Sequence, residues 1–346
     1  MKPCTTRRRP QPARDAGFTL VEVLVALAVG MIILLALTVL FSRNTGNQSE
    51  LERMTRQLEG ARFSLDALSE DILHAGYFGE FNPNTMPLAA AYQTPDPCAT
   101  AVSAQGWNTA VSPVQIPVPI QGIAAATVHA CLADRLAGTQ AVTVRRADTG
   151  ADMTFAGGNS TNLYLQVARC GLDTQRLVAA AIPSTAPGAT FNLRRPDCAT
   201  VNDRVRRLTQ RTYYIASCND CTANDGIPTL KRVEMIDGAL RTVSIAEGVE
   251  NLQIEYGLDT DLDGRPNTFN TLASGAITGT APNVWENVVA ARIHLLSRST
   301  APTAGFIDTR SYVMGPGVTV VPPTDRLKRT LMTSTVRLVN VGMRRE

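Results

Sequence analysis

The chain has 346 residues, of which 44% are hydrophobic and 18% are charged, and its formal net charge is +3. This length leaves room for one large or two small domains. The first 17 residues alone carry a net charge of +4, which leaves −1 for the remainder. The basic character therefore gives no support for direct nucleic-acid binding.

The first predicted element is the apolar segment 18–41, whose single charged residue is Glu22. As an α-helix it would extend about 36 Å, enough to cross a hydrocarbon core of roughly 30 Å. Four arginines precede it, at positions 7, 8, 9 and 14, so the positive-inside rule leaves residues 1–17 in the cytoplasm. The segment is longer than the apolar region of a secretory signal, and no small-residue cleavage site follows it. We therefore expect a membrane-spanning helix, with the chain after Arg43 on the far side.

The residues at the start of this segment are Gly17-Phe18-Thr19-Leu20-Val21-Glu22. A carboxylate in an apolar helix costs about 3 kcal/mol on insertion scales, so Glu22 should have a partner or a task. The string resembles the prepilin signature of type IV pilins and type II secretion pseudopilins. This resemblance implies that a prepilin peptidase cleaves between Gly17 and Phe18 and methylates the new amine of Phe18. It also implies that Glu22 pairs with such an amine, usually on a neighbouring subunit, during filament assembly.

A second helical stretch continues from the apolar segment. Its apolar residues recur at steps of three and four, namely Leu51, Met54, Leu58, Ala61, Leu65, Leu68 and Ile72. This spacing predicts an amphipathic helix that packs on the protein's own head, with a coiled coil as the less common alternative. Gly76 and Gly79 are expected to end it. The segment 61–79 resembles the region that follows the helical spine in PilW-type minor pilins.

The remainder of the chain is predicted to be rich in β-structure. Prolines from position 83 to 119 predict irregular surface structure or short edge strands over 82–123. Alternating or β-rich segments then predict strands at 141–145, 163–167, 211–217, 230–236, 243–245, 252–256, 289–295 and 333–340. We expect an α+β, type IV pilin-like fold, with a long N-terminal helical spine and a mainly antiparallel β head. The predicted divisions are a removed leader (1–17), a transmembrane and assembly half of the helix (18–41), its amphipathic half (42–76) and a periplasmic β-rich head (77–346).

Cysteine usage agrees with export. Cys4 lies in the predicted leader, and six cysteines remain, namely Cys98, Cys131, Cys170, Cys198, Cys218 and Cys221. An even number on the translocated side predicts disulfides, and the low entropy cost of short loops favours pairing in sequence order. The Cys218-Asn-Asp-Cys221 motif is interpreted as a structural loop disulfide. A redox pair and half of a metal site are its alternatives.

One loop carries a candidate metal site. Asp259, Asp261 and Asp263 are followed by Gly264, a D-x-D-x-D-G spacing that turns alternate carboxylates toward one centre, as calcium loops do. The Arg265 carbonyl and Asn267 would be further ligands. The usual glutamate at position 12 is replaced by Asn270, and flanking helices are missing, so a solvated hairpin turn is the alternative. We expect calcium, if any ion, and no other cofactor.

The remaining chemistry-bearing residues are predicted to be structural. His129 and His294 are expected to be strand or loop residues with satisfied hydrogen bonds, and Trp107 and Trp285 to be packing residues. No nucleophile and base constellation and no phosphate-binding glycine loop is found. The sequence therefore predicts a protein without catalytic residues.

The resemblance implies a minor type IV pilin of the PilW kind. Such a protein would be inserted in the inner membrane with a periplasmic head, and would then join the pilus fibre near its tip. Its partners would be other minor pilins, the major pilin, the prepilin peptidase and the inner-membrane assembly machinery, in support of assembly priming, adhesion, twitching motility or DNA uptake. A J-type pseudopilin of a type II secretion system is the nearest alternative. A membrane-tethered periplasmic enzyme and a calcium-dependent adhesin are alternatives of other classes.

Overall fold

The computed structural model describes residues 17–83, 90–202, 204–274, 277 and 282–345. The predicted leader up to residue 16, with Cys4 and the arginine run, lies outside the described residues. By its internal contacts the chain divides into two compact units, the first ending at Glu52 and the second beginning at Arg53. The division falls within one helix, α1, which begins at Leu20 and ends at Leu73.

In the first unit, the apolar side chains of α1 are exposed along its length. Leu20, Leu35 and Phe41 have exposed fractions of 77%, 67% and 75%. The Thr38 hydroxyl donates a hydrogen bond to the Leu34 carbonyl at 2.7 Å, so this polar group is satisfied within the helix. By length and composition, α1 is suited to cross a membrane.

The second unit contains the end of α1 and all of the described strands. The strands are β1 (Ala91–Gln93), β2 (Gln115–Pro117), β3 (Ile120–Ile123), β4 (Ala141–Ala147), β5 (Met153–Thr154), β6 (Leu163–Val167), β7 (Leu177–Ala181), β8 (Arg204–Ala216), β9 (Thr229–Ile236), β10 (Ala239–Glu247), β11 (Val249–Leu258), β12 (Thr268–Thr271), β13 (Val288–Arg298), β14 (Tyr312–Val313), β15 (Thr319–Val320) and β16 (Arg329–Arg337). Short α-helices occur at α2 (Pro187–Thr190), α3 (Pro282–Trp285) and α4 (Val339–Gly342), and 3-10 helices at Val102–Ala104, Ala130–Leu132, Phe155–Gly157 and Leu272–Ser274.

Two sheets dominate this unit. The larger has eight strands, with the path β10-β9-β8-β4-β3, while β5 and β6 also pair with β8 and β7 pairs with β6. The smaller has the order β12-β11-β13-β16. Among the described strands, β1 and β2 form the only parallel pair. The predicted α+β fold, with a long N-terminal helix before a mainly antiparallel head, is confirmed.

The end of α1 packs into the main hydrophobic core. Ala61, Leu68 and Ile72 are buried together with residues of both sheets, such as Val142, Tyr213, Ile254 and Ile293. The prediction that the apolar stripe packs on the head is thus confirmed from Ala61 onward. The part of the stripe before Ala61 is not covered within the chain, since Leu51, Met54 and Leu58 have exposed fractions of 64%, 40% and 38%. The stripe is continuous in sequence, but the core begins only at Ala61.

The helix stop occurs where the glycines predict it. Gly76 has φ +73° and Gly79 has φ +64°, left-handed values that glycine adopts without steric cost. A side chain at Gly76 would also approach Pro119 to 3.0 Å and Val341 to 3.2 Å. The turn therefore ends α1 at this point, and the last turns of the helix remain packed in the core of the second unit.

A buried acid fixes the last turns of α1 to the larger sheet. Asp71 is 2% exposed. Its carboxylate accepts hydrogen bonds from Arg146 on β4 at 3.1 Å, from Arg211 on β8 at 2.9 Å and from the Tyr213 hydroxyl at 2.6 Å. Burial alone raises the pKa of Asp71, but the Arg211 and Arg146 guanidinium groups and the Tyr213 hydroxyl bring this pKa below its usual value. Asp71 is therefore a charged anchor in an otherwise apolar interface.

Strand β4 is buried on both faces, which the sequence did not predict. Val142 and Val144 face the core that contains α1. On the other face, the Arg145 guanidinium donates to the Pro95 carbonyl at 3.1 Å and to the Gln121 side chain at 3.0 Å. The proline-rich stretch therefore contributes short strands, β1 to β3, which is the second of the two predicted alternatives. It forms a cover over the sheet.

The two tryptophans and two of the histidines are structural, as predicted. Trp107 packs edge-on against Phe78 with ring centroids 5.1 Å apart, and Trp285 packs edge-on against Tyr256 at 4.9 Å. His294 contacts Glu255 at 2.7 Å and Thr333 at 3.1 Å, and His129 contacts Asp96 at 3.2 Å. The ring nitrogens of both histidines thus contact polar side chains of the protein, whereas the buried Trp285 indole nitrogen has no hydrogen-bond partner.

Candidate functional site

The predicted processing and assembly residues lie at the start of α1. Thr19 directly precedes the helix, and the Glu22 amide donates to the Thr19 hydroxyl oxygen at 3.3 Å. In return, Glu22 Oε2 accepts hydrogen bonds from the Thr19 amide and the Thr19 hydroxyl, both at 2.9 Å. This is a capping box, in which two side chains satisfy backbone groups that the first helical turn leaves unpaired. The sequence interpretation of Glu22 missed this local role, although the T-x-x-E spacing indicates it.

The capping box also determines where the Glu22 carboxylate lies. It contacts the amide nitrogen of Thr19, one residue after Phe18. Cleavage between Gly17 and Phe18 would turn the Phe18 nitrogen into a charged amine one residue from that contact. Both hydrogen bonds from Thr19 end on the same oxygen, Oε2. The arrangement is therefore chemically suited to hold an ammonium group beside the carboxylate.

The second candidate site is the loop that connects β11 to β12. It is closed by backbone bonds from the Asp259 amide to the Asn287 carbonyl at 2.9 Å and from the Asn267 amide to the Leu258 carbonyl at 2.8 Å. Leu262 and Gly264 have φ values of +64° and +83°. The glycine thus adopts the left-handed conformation that the motif requires of it.

The loop brings the three predicted aspartates together. Carboxylate oxygens of Asp259, Asp261 and Asp263 lie within 4.8 Å of one another. Asp259 is fully buried, whereas Asp261 and Asp263 are exposed. Asp259 Oδ2 accepts from the Gly264 amide at 3.0 Å and from the Arg345 guanidinium at 3.1 Å. Burial alone raises the pKa of Asp259, but the bonds from Arg345 and from loop amides bring it below its usual value.

The other predicted ligands are engaged within the loop. The Asn267 side-chain oxygen accepts from the Thr260 amide at 2.7 Å, and its nitrogen donates to Asp261 at 3.1 Å. The Arg265 amide donates to Asp263 at 2.8 Å. Asn270 lies on β12, where its side chain contacts Thr268. Three carboxylates are therefore brought together, whereas Asn267 serves the loop's own hydrogen bonding.

Sequence reasoning missed Arg345 as part of this loop. Besides Asp259, its guanidinium contacts the Glu286 carbonyl at 2.8 Å and the Asn287 side chain at 2.9 Å. No local pattern relates positions 259 and 345. Only the fold, which returns the chain past α4 to this loop, brings the two charges together.

The six cysteines of the second unit form three disulfides between sequence neighbours. These are Cys98–Cys131, Cys170–Cys198 and Cys218–Cys221. Asp134 lies beside the last pair, with Oδ2 3.3 Å from Cys221 Sγ, and it also accepts from Lys231 at 2.9 Å. Since both sulfurs of the C-x-x-C motif are bonded to each other, the arrangement is a loop disulfide rather than a thiolate metal site.

Family models match this chain near its N-terminus and in the later part of the second unit. The family model described as Type IV Pilus-assembly protein W matches residues 212–340, which include the aspartate loop and β13. The model described as Prokaryotic N-terminal methylation motif matches residues 12–38, which include Gly17, Phe18 and Glu22. A comparison with curated proteins found no match.

Among solved structures, a type IV-like pilin from Thermus thermophilus is similar over 83% of this chain and 97% of its own length, at 10% sequence identity and a TM-score of 0.35. The TM-score and the sequence identity are too low to support an inference about function. The assignment therefore depends on the two sequence models, which match the start of the helical spine and the later part of the head. Residues 212–340 thus match the family of type IV pilus-assembly protein W, and residues 12–38 match the prokaryotic N-terminal methylation motif.

Proposed function

We propose that the protein is a minor pilin, inserted in the inner membrane as a prepilin, cleaved after Gly17 and incorporated into a pilus together with other minor pilins and the major pilin. The observation that most supports this proposal is the exposure of the apolar side chains in the first part of α1. Its leucine, valine and isoleucine side chains are exposed over residues 20–41. A helix of this kind is stable in lipid or in a bundle of similar helices, and not in water.

The energetics favour two alternative environments for this helix. Burial of one large apolar side chain from water is worth roughly 1.5–3 kcal/mol, so exposure of the whole segment to water would be prohibitive. Lipid and neighbouring apolar helices both remove this cost. Assembly then consists of exchanging lipid contacts for contacts with the helices of other pilins. The exposed Leu51, Met54 and Leu58 extend the apolar surface beyond the membrane-spanning part and would contact a neighbouring subunit.

Glu22 supplies the specific interaction in this exchange. Apolar helices can slide past each other with little change in energy, whereas a carboxylate in an apolar surface has a strong preference for a cationic partner. In the proposed filament that partner is the methylated amine of Phe18 on an adjacent pilin. The pair would set the register of neighbouring helices, while the capping box keeps the carboxylate in place.

The second unit is proposed to be the periplasmic and later surface-exposed head. Three disulfides support this location, because disulfides persist in oxidising compartments. In this function the head takes part in a priming or tip complex and so supports adhesion, twitching motility or DNA uptake. We assign it no catalytic role.

The first test is the N-terminal mass of the chain recovered from membranes of cells with and without the prepilin peptidase. We expect a mature chain that begins with methylated Phe18 when the peptidase is present, and an uncleaved chain when it is absent. The same N-terminus in both strains would overturn the proposal.

A second test separates processing from assembly. In Glu22→Gln the Thr19 contacts can persist, but the charge is removed. We expect this variant to be anchored in the membrane and strongly depleted from sheared pili. Glu59→Gln, an exposed acid on the same helix, is the matched control and should be recovered at the wild-type level. Equal recovery of both variants would contradict the role of Glu22.

A further inference from the structure

We propose that the loop between β11 and β12 binds a divalent cation of the size of calcium, with the carboxylates of Asp259, Asp261 and Asp263 as its protein ligands. This inference goes beyond filament assembly, since the packing of apolar helices requires no metal. It depends on two observations, the convergence of three acids and a buried oxygen atom of Asp259 that has no hydrogen-bond partner.

The first observation concerns the charge collected in the loop. Three carboxylates have oxygen atoms within 4.8 Å of one another. Among the described residues, Arg345 binds Asp259 Oδ2, and Arg337 donates to the Gly264 carbonyl at 3.1 Å. Neither of these contacts is made to the exposed carboxylates of Asp261 or Asp263. Like charges at such short separations repel, so a cation placed among them would be stabilising.

The second observation concerns the other oxygen of Asp259. Asp259 has an exposed fraction of 0%, and its Oδ1 has no hydrogen-bond partner. The Gly264 amide and Arg345 both bind Oδ2. A buried acceptor without a partner costs free energy that folding must offset, and such atoms are rare in native proteins. A metal ion on the Asp261 and Asp263 side of the loop would supply the missing interaction.

The donor atoms favour calcium over other metals. All three ligands are carboxylate oxygens, which suit hard cations rather than zinc or copper. Calcium accepts six to eight oxygen ligands in irregular geometry, whereas magnesium demands a nearly ideal octahedron. Asp261 and Asp263 are exposed, so water can complete the coordination sphere. With only three protein carboxylates, we expect an affinity on the order of 10⁻⁴ to 10⁻³ M, the range of extracellular calcium modules.

The site would also be linked to the segment around α4. The same loop is held by Arg337 through the Gly264 carbonyl and by Arg345 through Asp259. The Gly264 carbonyl also lies close to Gly342, because a side chain at that glycine would approach it to 2.9 Å. A bound cation would therefore stabilise the loop together with the segment 337–345, and not the loop alone.

The test is isothermal titration calorimetry of the full chain in detergent, freed of metal by chelation, with CaCl2 and separately with MgCl2. We expect one saturable calcium site and clearly weaker magnesium binding. The double variant Asp261→Asn/Asp263→Asn should bind calcium about tenfold more weakly or worse. Both residues are exposed, and each asparagine keeps an oxygen that can accept the bond from Asn267 or from the Arg265 amide, so the fold of the loop should be kept.

The matched control is Asp148→Asn. Asp148 is an exposed aspartate that accepts from the amide two residues later at 2.9 Å, as Asp263 does at 2.8 Å. It should bind calcium like the wild type. Absence of calcium binding, equal binding of magnesium, or unchanged binding in the double variant would each overturn the proposal. None of these results would alter the N-terminal mass, so the proposed pilin function is tested separately.

Discussion

The two parts of helix α1 have similar apolar residues but differ in what covers them. Leu35, in the first unit, is 67% exposed, whereas Leu68, in the second unit, has an exposed fraction of 0%. Both residues are in the same continuous helix. Secondary structure alone therefore does not tell which part of the helix belongs to a folded core. The difference is made by the sheets, which bury α1 from Ala61 onward.

The acids on the two parts show the same contrast. Glu22 has its contacts within its own turn, to Thr19. Asp71 is bound by residues 75 and 140 or more positions away, namely Arg146, Arg211 and Tyr213. A local contact leaves a carboxylate available to another molecule, whereas a full set of distant contacts does not. The contacts of Glu22 are thus confined to the first turn of α1, whereas those of Asp71 connect the helix to the larger sheet.

The largest effect is expected from removing the buried anchor. Asp71→Ala would leave Arg146 and Arg211 without their shared carboxylate, and breaking a buried ion pair typically costs about 3–5 kcal/mol of unfolding free energy. Urea denaturation followed by tryptophan fluorescence measures this, since both tryptophans lie in the second unit. Asp66→Ala, an exposed acid on the same helix, should cost no more than about 0.5 kcal/mol. Equal effects would show that Asp71 is not an anchor.

The next prediction compares alanine substitutions at Leu68 and Leu35. Leu68→Ala should destabilise the second unit by about 2–5 kcal/mol, because it removes buried methyl groups and leaves a cavity. Leu35→Ala should leave the urea midpoint unchanged. Its effect should be seen instead as reduced recovery in sheared pili. If Leu35→Ala lowered the midpoint as much as Leu68→Ala, the proposed division of the helix would be wrong.

A smaller effect on the unfolding free energy is expected when the pH is lowered. Because contacts in the folded state depress the pKa of Asp71, the stability from this residue is present above the unfolded-state pKa of about 3.9 and is lost as the pH falls through the folded-state value. We expect the gap in unfolding free energy between the wild type and Asp71→Asn to narrow below about pH 4. Denaturation curves of both proteins at several pH values measure it. A gap that widens in acid would contradict the charged state of Asp71.

The smallest effect compares two glycines of α1. A side-chain methyl at Gly60 would lie 3.7 Å from Ala246, an ordinary contact. Gly60→Ala should therefore stabilise the second unit by about 0.5–1 kcal/mol through helix propensity. Gly46→Ala adds a methyl with nothing within 4 Å and lies in the first unit, so the urea midpoint should not move. Destabilisation by Gly60→Ala would show that α1 packs more tightly there than the structure indicates.

Periodicity predicted those parts of the fold that are set by local patterns. The strand at 163–167 has the predicted bounds, and α1 ends before the predicted glycines. Strand β8 begins earlier than predicted, because its first residues are rich in arginine and have no clear apolar alternation. The burial of Arg145 and Arg146 was not predictable, since their partners lie on segments far away in sequence.

The candidate sites divide in the same way. The aspartate spacing and the Gly17-Phe18 to Glu22 string are local patterns, so sequence alone identified them. Arg345 was missed because its contact with Asp259 spans 86 positions. The unpartnered Asp259 Oδ1 was also beyond sequence reasoning, because a single unsatisfied atom becomes visible only once its surroundings are known.

The order of the disulfides has a consequence for how the chain matures. Each of the three bonds joins consecutive cysteines of the second unit, at separations of 33, 28 and 3 residues. In a chain delivered to an oxidising compartment with its N-terminal part first, each bond can form as soon as its second cysteine emerges. Oxidation in order of emergence thus gives the native pairing directly. Such a chain should mature without disulfide isomerisation, and the cover over β4 would be fixed at Cys98 and Cys131 before β8 has emerged.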